Sequence, residues 1–146
     1  METANISRGL IPEAQAVRDE WLDRLARLVD DVERWAKQRD WSTRRIEKSM
    51  DDSQLGRYKA PALLLQREFT RLILEPVTRF AVSTDGRVDL YVMPAYDDLA
   101  TFYLNDGQWW AQHTSPLSSH EEPVLLTEAA FDAITEAMRR HDGELS

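Results

Sequence analysis

Apolar residues recur at helical spacing from about Pro12 to Arg39. Val17, Trp21, Leu25, Leu28, Val32 and Trp35 fall on one stripe, which Leu22, Val29 and Ala36 widen. The opposite side carries Glu20–Arg24, Asp23–Arg27, Asp30–Arg34 and Glu33–Lys37, each with the acid four residues before the base, the order that supports a helix. Pro12 suits a first helical turn, Glu13 the positive end of the dipole, and Lys37 and Arg39 the negative end. The spacing predicts one long amphipathic helix.

The pattern then loses its period. Between Trp41 and Gln54, Ile46 and Met50 are four apart as in a helix, yet Thr43, Ile46 and the alternating polar residues fit an exposed strand equally well. From Tyr58 to Val77, Leu63-Leu64-Leu65 and Leu72-Ile73-Leu74 read as buried strands, although Leu65, Phe69 and Leu72 also keep helical spacing. Pro61 and Pro76 bracket this segment and suit either form. Two strands are the preferred reading.

Alternation is cleaner downstream. Thr84-Asp85-Gly86-Arg87 reads as a turn joining Phe80-Ala81-Val82 to the strand Val88–Met93, and Asn105-Asp106-Gly107 joins Ala100–Leu104 to Gln108–Ala111. A polar loop from His113 to Pro123 follows. Thr127 can then cap a last helix with Glu128 in its first turn, Phe131, Ile134 and Met138 on its inner stripe, Arg139-Arg140-His141 at its negative end and Gly143 as its stop. The expected fold is α+β: a long N-terminal amphipathic helix, an antiparallel sheet of about five or six strands, and a C-terminal helix. With no repeat or low-complexity linker, residues 1–146 form one domain with loose ends at about 1–9 and 143–146.

At 146 residues with 42% apolar and 30% charged content, one core suffices and disorder is excluded. The absence of cysteine removes disulfides, thiolate metal sites and thiol nucleophiles. Met1–Arg8 has no charged start followed by an apolar run, and no stretch approaches the ~20 apolar residues of a membrane span, so the expected location is the cytoplasm, away from membranes. The net charge of -8 is uneven: residues 1–71 hold 14 bases against 13 acids, and residues 72–146 hold 4 against 13. That acidic second half disfavours a nucleic-acid-coating role.

Chemistry-bearing motifs are sparse. The five glycines are isolated, which excludes a phosphate-cradling loop. Asp89 with Glu68 upstream lacks the downstream lysine of a common metal-nuclease pattern, and Asp89 reads as a polar residue on a strand's solvent face. His113 and His120, with Glu121 and Glu122, do not fix tetrahedral metal geometry. Paired with Ser115, Ser118 or Ser119 they lack the sharp strand-to-helix turn of a serine nucleophile. They read as solvated loop residues. No metal or cofactor is expected.

Two aromatic groupings remain. Between Arg34 and Lys48 six bases, including Lys37, Arg39, Arg44, Arg45 and Lys48, face two acids, with Trp35 and Trp41 interleaved. Such a segment could bind a polyanion, or its cations could serve the helix dipole while Trp41 anchors the chain leaving the helix; the second reading is preferred. The other grouping is Tyr91, Tyr96, Asp97, Asp98, Phe102, Tyr103, Trp109 and Trp110. Phe102–Tyr103 and Trp109–Trp110 must point to opposite faces of their strands, so one of each pair enters the core and the other faces out. Tyr91, Tyr96, Asp97, Asp98, Tyr103, Trp109 and Trp110 are therefore the candidate binding residues, an aromatic and acidic surface of the kind found at protein interfaces. The expected function is a small non-enzymatic interaction domain (adaptor, chaperone-like or inhibitor) with a protein partner, a second copy of itself, or both. Its rivals are a metal-assisted hydrolase or nuclease using Asp89, Asp97 and Asp98, and a polyanion binder.

Overall fold

The computed structural model describes residues 11–114 and 122–145. Helix α1 (Ala14–Gln38) leads into strands β1 (Ser42–Asp52), β2 (Gly56–Arg67), β3 (Thr70–Thr78), β4 (Arg87–Val92), β5 (Leu99–Asn105), β6 (Gln108–Thr114) and β7 (Val124–Leu125), and helix α2 (Glu128–Leu145) follows. The strands form one antiparallel sheet in sequence order. The fold is α+β as the patterning predicts, with two-residue β7 raising the strand count among the described residues to seven. No helix among the described residues is long and apolar enough to cross a membrane.

α1 buries Trp21, Leu25, Leu28, Val29, Val32 and Ala36, most of the predicted stripe. It begins at Ala14 rather than Pro12, because Glu13 takes a left-handed backbone (φ 63°) that a helix cannot include. Its surface pairs differ from those expected. Asp23–Arg27 (2.9 Å) and Glu33–Lys37 (3.9 Å) form, but Arg34 turns to Asp31 (3.0 Å) because Asp30 is taken by Arg45 of β1 (2.7 Å).

The ambiguous middle of the chain is strand throughout. Leu63 faces Leu74 and Leu65 faces Leu72 on the helix-covered side, while Leu64 faces Ile73 on the other. The turn after β5 is a two-residue one in which Asp106 (φ 51°) and Gly107 (φ 77°) both lie in the left-handed region, as a type I′ hairpin requires. Three expectations fail. Phe80-Ala81-Val82 is not a strand: the register shifts between Pro76 and Thr78, and the ladder and β3 end with Thr78 opposite Arg87. Phe80 and Val82 are exposed instead. Gly143 does not stop α2, which continues to Leu145. His113 is not a solvated loop residue; it belongs to β6 and is mostly buried. His120 and the serines at 115, 118 and 119 lie outside the described residues.

Both helices share one face of the sheet. Phe131, Ile134 and Met138 of α2 join a single core with Leu25, Val32, Leu63, Leu72, Leu90 and Phe102. Thr127 caps α2 by accepting the Ala130 N–H at 3.1 Å. Trp35 packs on Phe131 with ring centroids 5.9 Å apart, so α2 covers part of the apolar stripe of α1. Among the described residues, the opposite face of the sheet carries no helix.

Candidate functional site on the uncovered sheet face

The register orders that face into rows. Ser42, Gln66 and Arg71 lie side by side, with Met93 next to Arg71 through a backbone hydrogen bond of 2.9 Å. Arg44, Leu64, Ile73, Tyr91 and Leu99 form the next row, then Glu75, Asp89, Thr101 and Gln112, then Arg87, Tyr103 and Trp110. Aliphatic side chains thus run beside a polar row, with aromatic residues at both margins.

The polar row sets two carboxylates directly opposite each other, Glu75 on β3 and Asp89 on β4, a pairing that is unfavourable unless each charge is answered. Each is. Arg87 donates to both oxygens of Asp89 (2.9 and 3.2 Å), and the Tyr96 hydroxyl donates to the same carboxylate. Glu75 accepts from the Tyr91 hydroxyl (2.9 Å) and pairs with Lys48 at 3.6 Å. Tyr91 and Tyr96 meet edge to face with centroids 4.3 Å apart, closing the two halves on each other. Asp89 points to the side its strand position predicts, yet it is only 1% exposed because these partners cover it.

Burial, reinforced by the bond to Glu75 and the nearby charge of Asp89, pushes the Tyr91 hydroxyl up to about 12. Tyr96 is raised chiefly by its bond to Asp89. Both phenols therefore stay protonated as donors. A raised tyrosine pKa means that the native state keeps a proton the unfolded chain has already released. Its contribution is whole below the ordinary value of 10 and is lost as the pH climbs from there toward about 12. Urea unfolding from pH 9 upward is expected to show this loss, and Tyr91→Phe to flatten it; an unchanged slope in the variant would refute the assignment.

Of the candidate binding residues, Tyr91, Tyr96, Tyr103 and Trp110 come together on this face, and Tyr96 is 46% exposed. Trp109 does not: it turns inward, 6.2 Å from Trp21. Asp97 is exposed on the β4–β5 loop. Asp98 is the main departure from an acidic surface. It is 3% exposed and accepts from His113 Nε2 (2.7 Å) through one oxygen and from His141 Nδ1 (3.1 Å) through the other. Because the two imidazoles hold different oxygens, the three groups do not converge on a point, and no metal-holding set of His, Cys, Asp and Glu occurs among the described residues.

The basic segment is largely neutralised from within. Lys37 pairs with Glu33, Arg39 with Glu128 (3.3 Å) and Asp132 (2.9 Å), Arg45 with Asp30 and Glu33, and Lys48 with Glu75. The Arg45 guanidinium holds the Glu33 carboxyl below its ordinary range. Trp41 is a buried core residue whose backbone N–H donates to Ala36 O at 3.0 Å, an anchor at the helix exit rather than a stacking platform. Arg44 alone of the segment's candidate cations is exposed without an acid partner among the described residues. The sequence reading missed Glu75, Arg87 and Arg71, whose grouping depends on register.

Comparison with known proteins adds no relative: no family model, no curated protein and no solved structure matches the chain.

Proposed function

We propose that this chain is a non-enzymatic protein-interaction domain of the cytoplasm, an adaptor, chaperone-like protein or inhibitor, that docks a polypeptide partner on the uncovered face of its sheet. The observation that carries this reading is the placement of both helices on one face. It leaves Leu64, Ile73, Tyr91, Tyr96, Tyr103 and Trp110 on the other, around a polar row whose charges are already answered. A pre-ordered surface of this kind needs little reorganisation on binding, and tyrosine and tryptophan supply contact area at low entropic cost. The lack of cysteine fits a reducing compartment.

The hydrolase reading has less support, because its acids do not gather. Asp89 faces the uncovered side under Arg87 and Tyr96, Asp98 is turned inward between histidines, and Asp97 is exposed on the loop between them.

A tagged chain used in a nuclease-treated pull-down from its native host, followed by titration of the purified partner, tests the proposal. Tyr96→Ala and Tyr103→Lys are each expected to weaken binding roughly 30-fold, the loss of about 2 kcal/mol seen when an interface aromatic is truncated. Asp23→Arg, on the exposed side of α1, is expected to leave it unchanged. A partner held equally by all three variants, or no protein partner at all, sinks the reading.

A further inference from the structure

One corner of the uncovered face differs from the rest in charge. A cleft of about 250 Å³ opens there, lined by Ser42, Arg44, Leu64, Gln66, Arg71 and Met93 among others. Arg44 and Arg71 are both exposed, and neither guanidinium makes an ion pair or hydrogen bond recorded among the described residues. Elsewhere in the sheet Arg45, Lys48, Arg67 and Arg87 each hold a carboxylate of the chain itself. Arg44 and Arg71 lie on strands two apart and in adjacent rows, so about 12 Å separates their backbones on the diagonal. Two long side chains close that span onto one anionic group or two adjacent ones.

We infer that the Arg44–Arg71 cleft is a carboxylate-recognition site for an acidic segment of a polypeptide partner. This assignment rests on the docking face proposed above and names the chemistry that the face reads at this end.

Arginine's planar fork matches a carboxylate bidentately. Leu64 and Met93 place apolar surface beside it, so the cleft suits an acidic side chain that follows or precedes an apolar one. The apolar row continues from Leu64 through Ile73 to Tyr91 and Leu99, a footprint longer than a small dicarboxylate covers. A nucleic-acid strand fits less well. Beyond the two arginines a phosphate backbone would meet Glu75 and Asp89 in the next row, on a chain whose net charge is -8.

The test follows the arginine Nε–Hε resonances by NMR while four probes are added to the full chain. These are an acetylated Glu-Leu-Glu-Phe amide, its Gln-Leu-Gln-Phe counterpart, glutarate, and a short single-stranded DNA. The acidic peptide is expected to shift the Arg44 and Arg71 resonances and to bind at least tenfold more tightly than the glutamine peptide or glutarate. Its affinity should fall with added salt, and in Arg44→Gln/Arg71→Gln, followed by the backbone amide resonances of Leu64 and Ile73, the acidic peptide should bind no more tightly than the glutamine peptide, with an unchanged thermal midpoint, since neither side chain holds the fold. Absence of shifts with the acidic peptide, equal binding of the glutamine peptide or glutarate, or tighter binding of DNA at these two residues each overturns the assignment. The aromatic-face variants read the docking surface independently. A partner that needs Tyr96 and Tyr103 but ignores Arg44 and Arg71 would refute only the carboxylate site.

Discussion

Asp98→Ala is expected to destabilise the protein by about 3 kcal/mol, roughly 1.5 kcal/mol for each of the two imidazole hydrogen bonds that the buried carboxylate accepts. For a chain of this length that lowers the thermal midpoint by roughly 10 °C. Asp98 joins three separate parts of the molecule: the β4–β5 loop that carries it, His113 of β6 and His141 in the last turns of α2. Losing the carboxylate leaves both imidazoles with an N–H aimed at an emptied space. The end of α2 keeps its links to the β2–β3 turn, Thr70–Asp142 at 3.0 Å and Arg139–Glu68 at 2.7 Å, so it should loosen rather than detach. The loop is held on its other side by Tyr96 on Asp89 and by the Asp98 carbonyl accepting from Val92 N–H at 3.2 Å. The same substitution should therefore raise hydrogen exchange both near residue 141 and around residues 92–98. Protection unchanged at either place, with stability intact, would show that the cluster is not a tie between helix and loop. Asp98→Asn is the sharper comparison, since an amide keeps one acceptor and should recover part of the loss.

What the sequence made legible follows from how many faces of an element are buried. α1 is readable because one side is apolar and the other charged, and β5–β6 because Asn105-Asp106-Gly107 sits between alternating runs. β2 and β3 are less readable because Leu64 and Ile73 add apolar residues to the uncovered face, which erases the two-residue period. The aromatic half of the candidate site could be narrowed from adjacency alone, since Phe102–Tyr103 and Trp109–Trp110 each had to split between faces. The choice within each pair is set by register: Phe102 faces Ala111 toward the helices, and Tyr103 faces Trp110 away from them. The ionic half could not be reached this way. Asp98 gains its partners from 15 and 43 residues away, and Arg71 lies outside any basic cluster, joining Arg44 only through two strand pairings.

Gly86→Ala is the second large effect expected, about 2–3 kcal/mol, and its cause is not the one its turn-like neighbours suggest. Thr84-Asp85-Gly86-Arg87 resembles a hairpin turn that uses glycine for a left-handed backbone, yet only Gly56 and Gly107 among the described glycines have that conformation. At Gly86 the constraint is space. An added Cβ would stand 2.5 Å from Trp21 Cζ3 and 2.7 Å from Cη2, far inside van der Waals contact. Neither side can yield easily. Trp21 is 1% exposed and packed against Trp109, while the chain around Gly86 is fixed by Leu104 N–H to Gly86 O (3.0 Å) and Asp85 N–H to Leu104 O (2.7 Å). Overpacking against a rigid ring in a filled core typically costs this much. A double-mutant cycle separates this cause from a backbone one: Trp21→Phe removes the atoms that clash, so Gly86→Ala should cost much less in that background. The same penalty in both backgrounds would place the strain in the loop rather than at the indole.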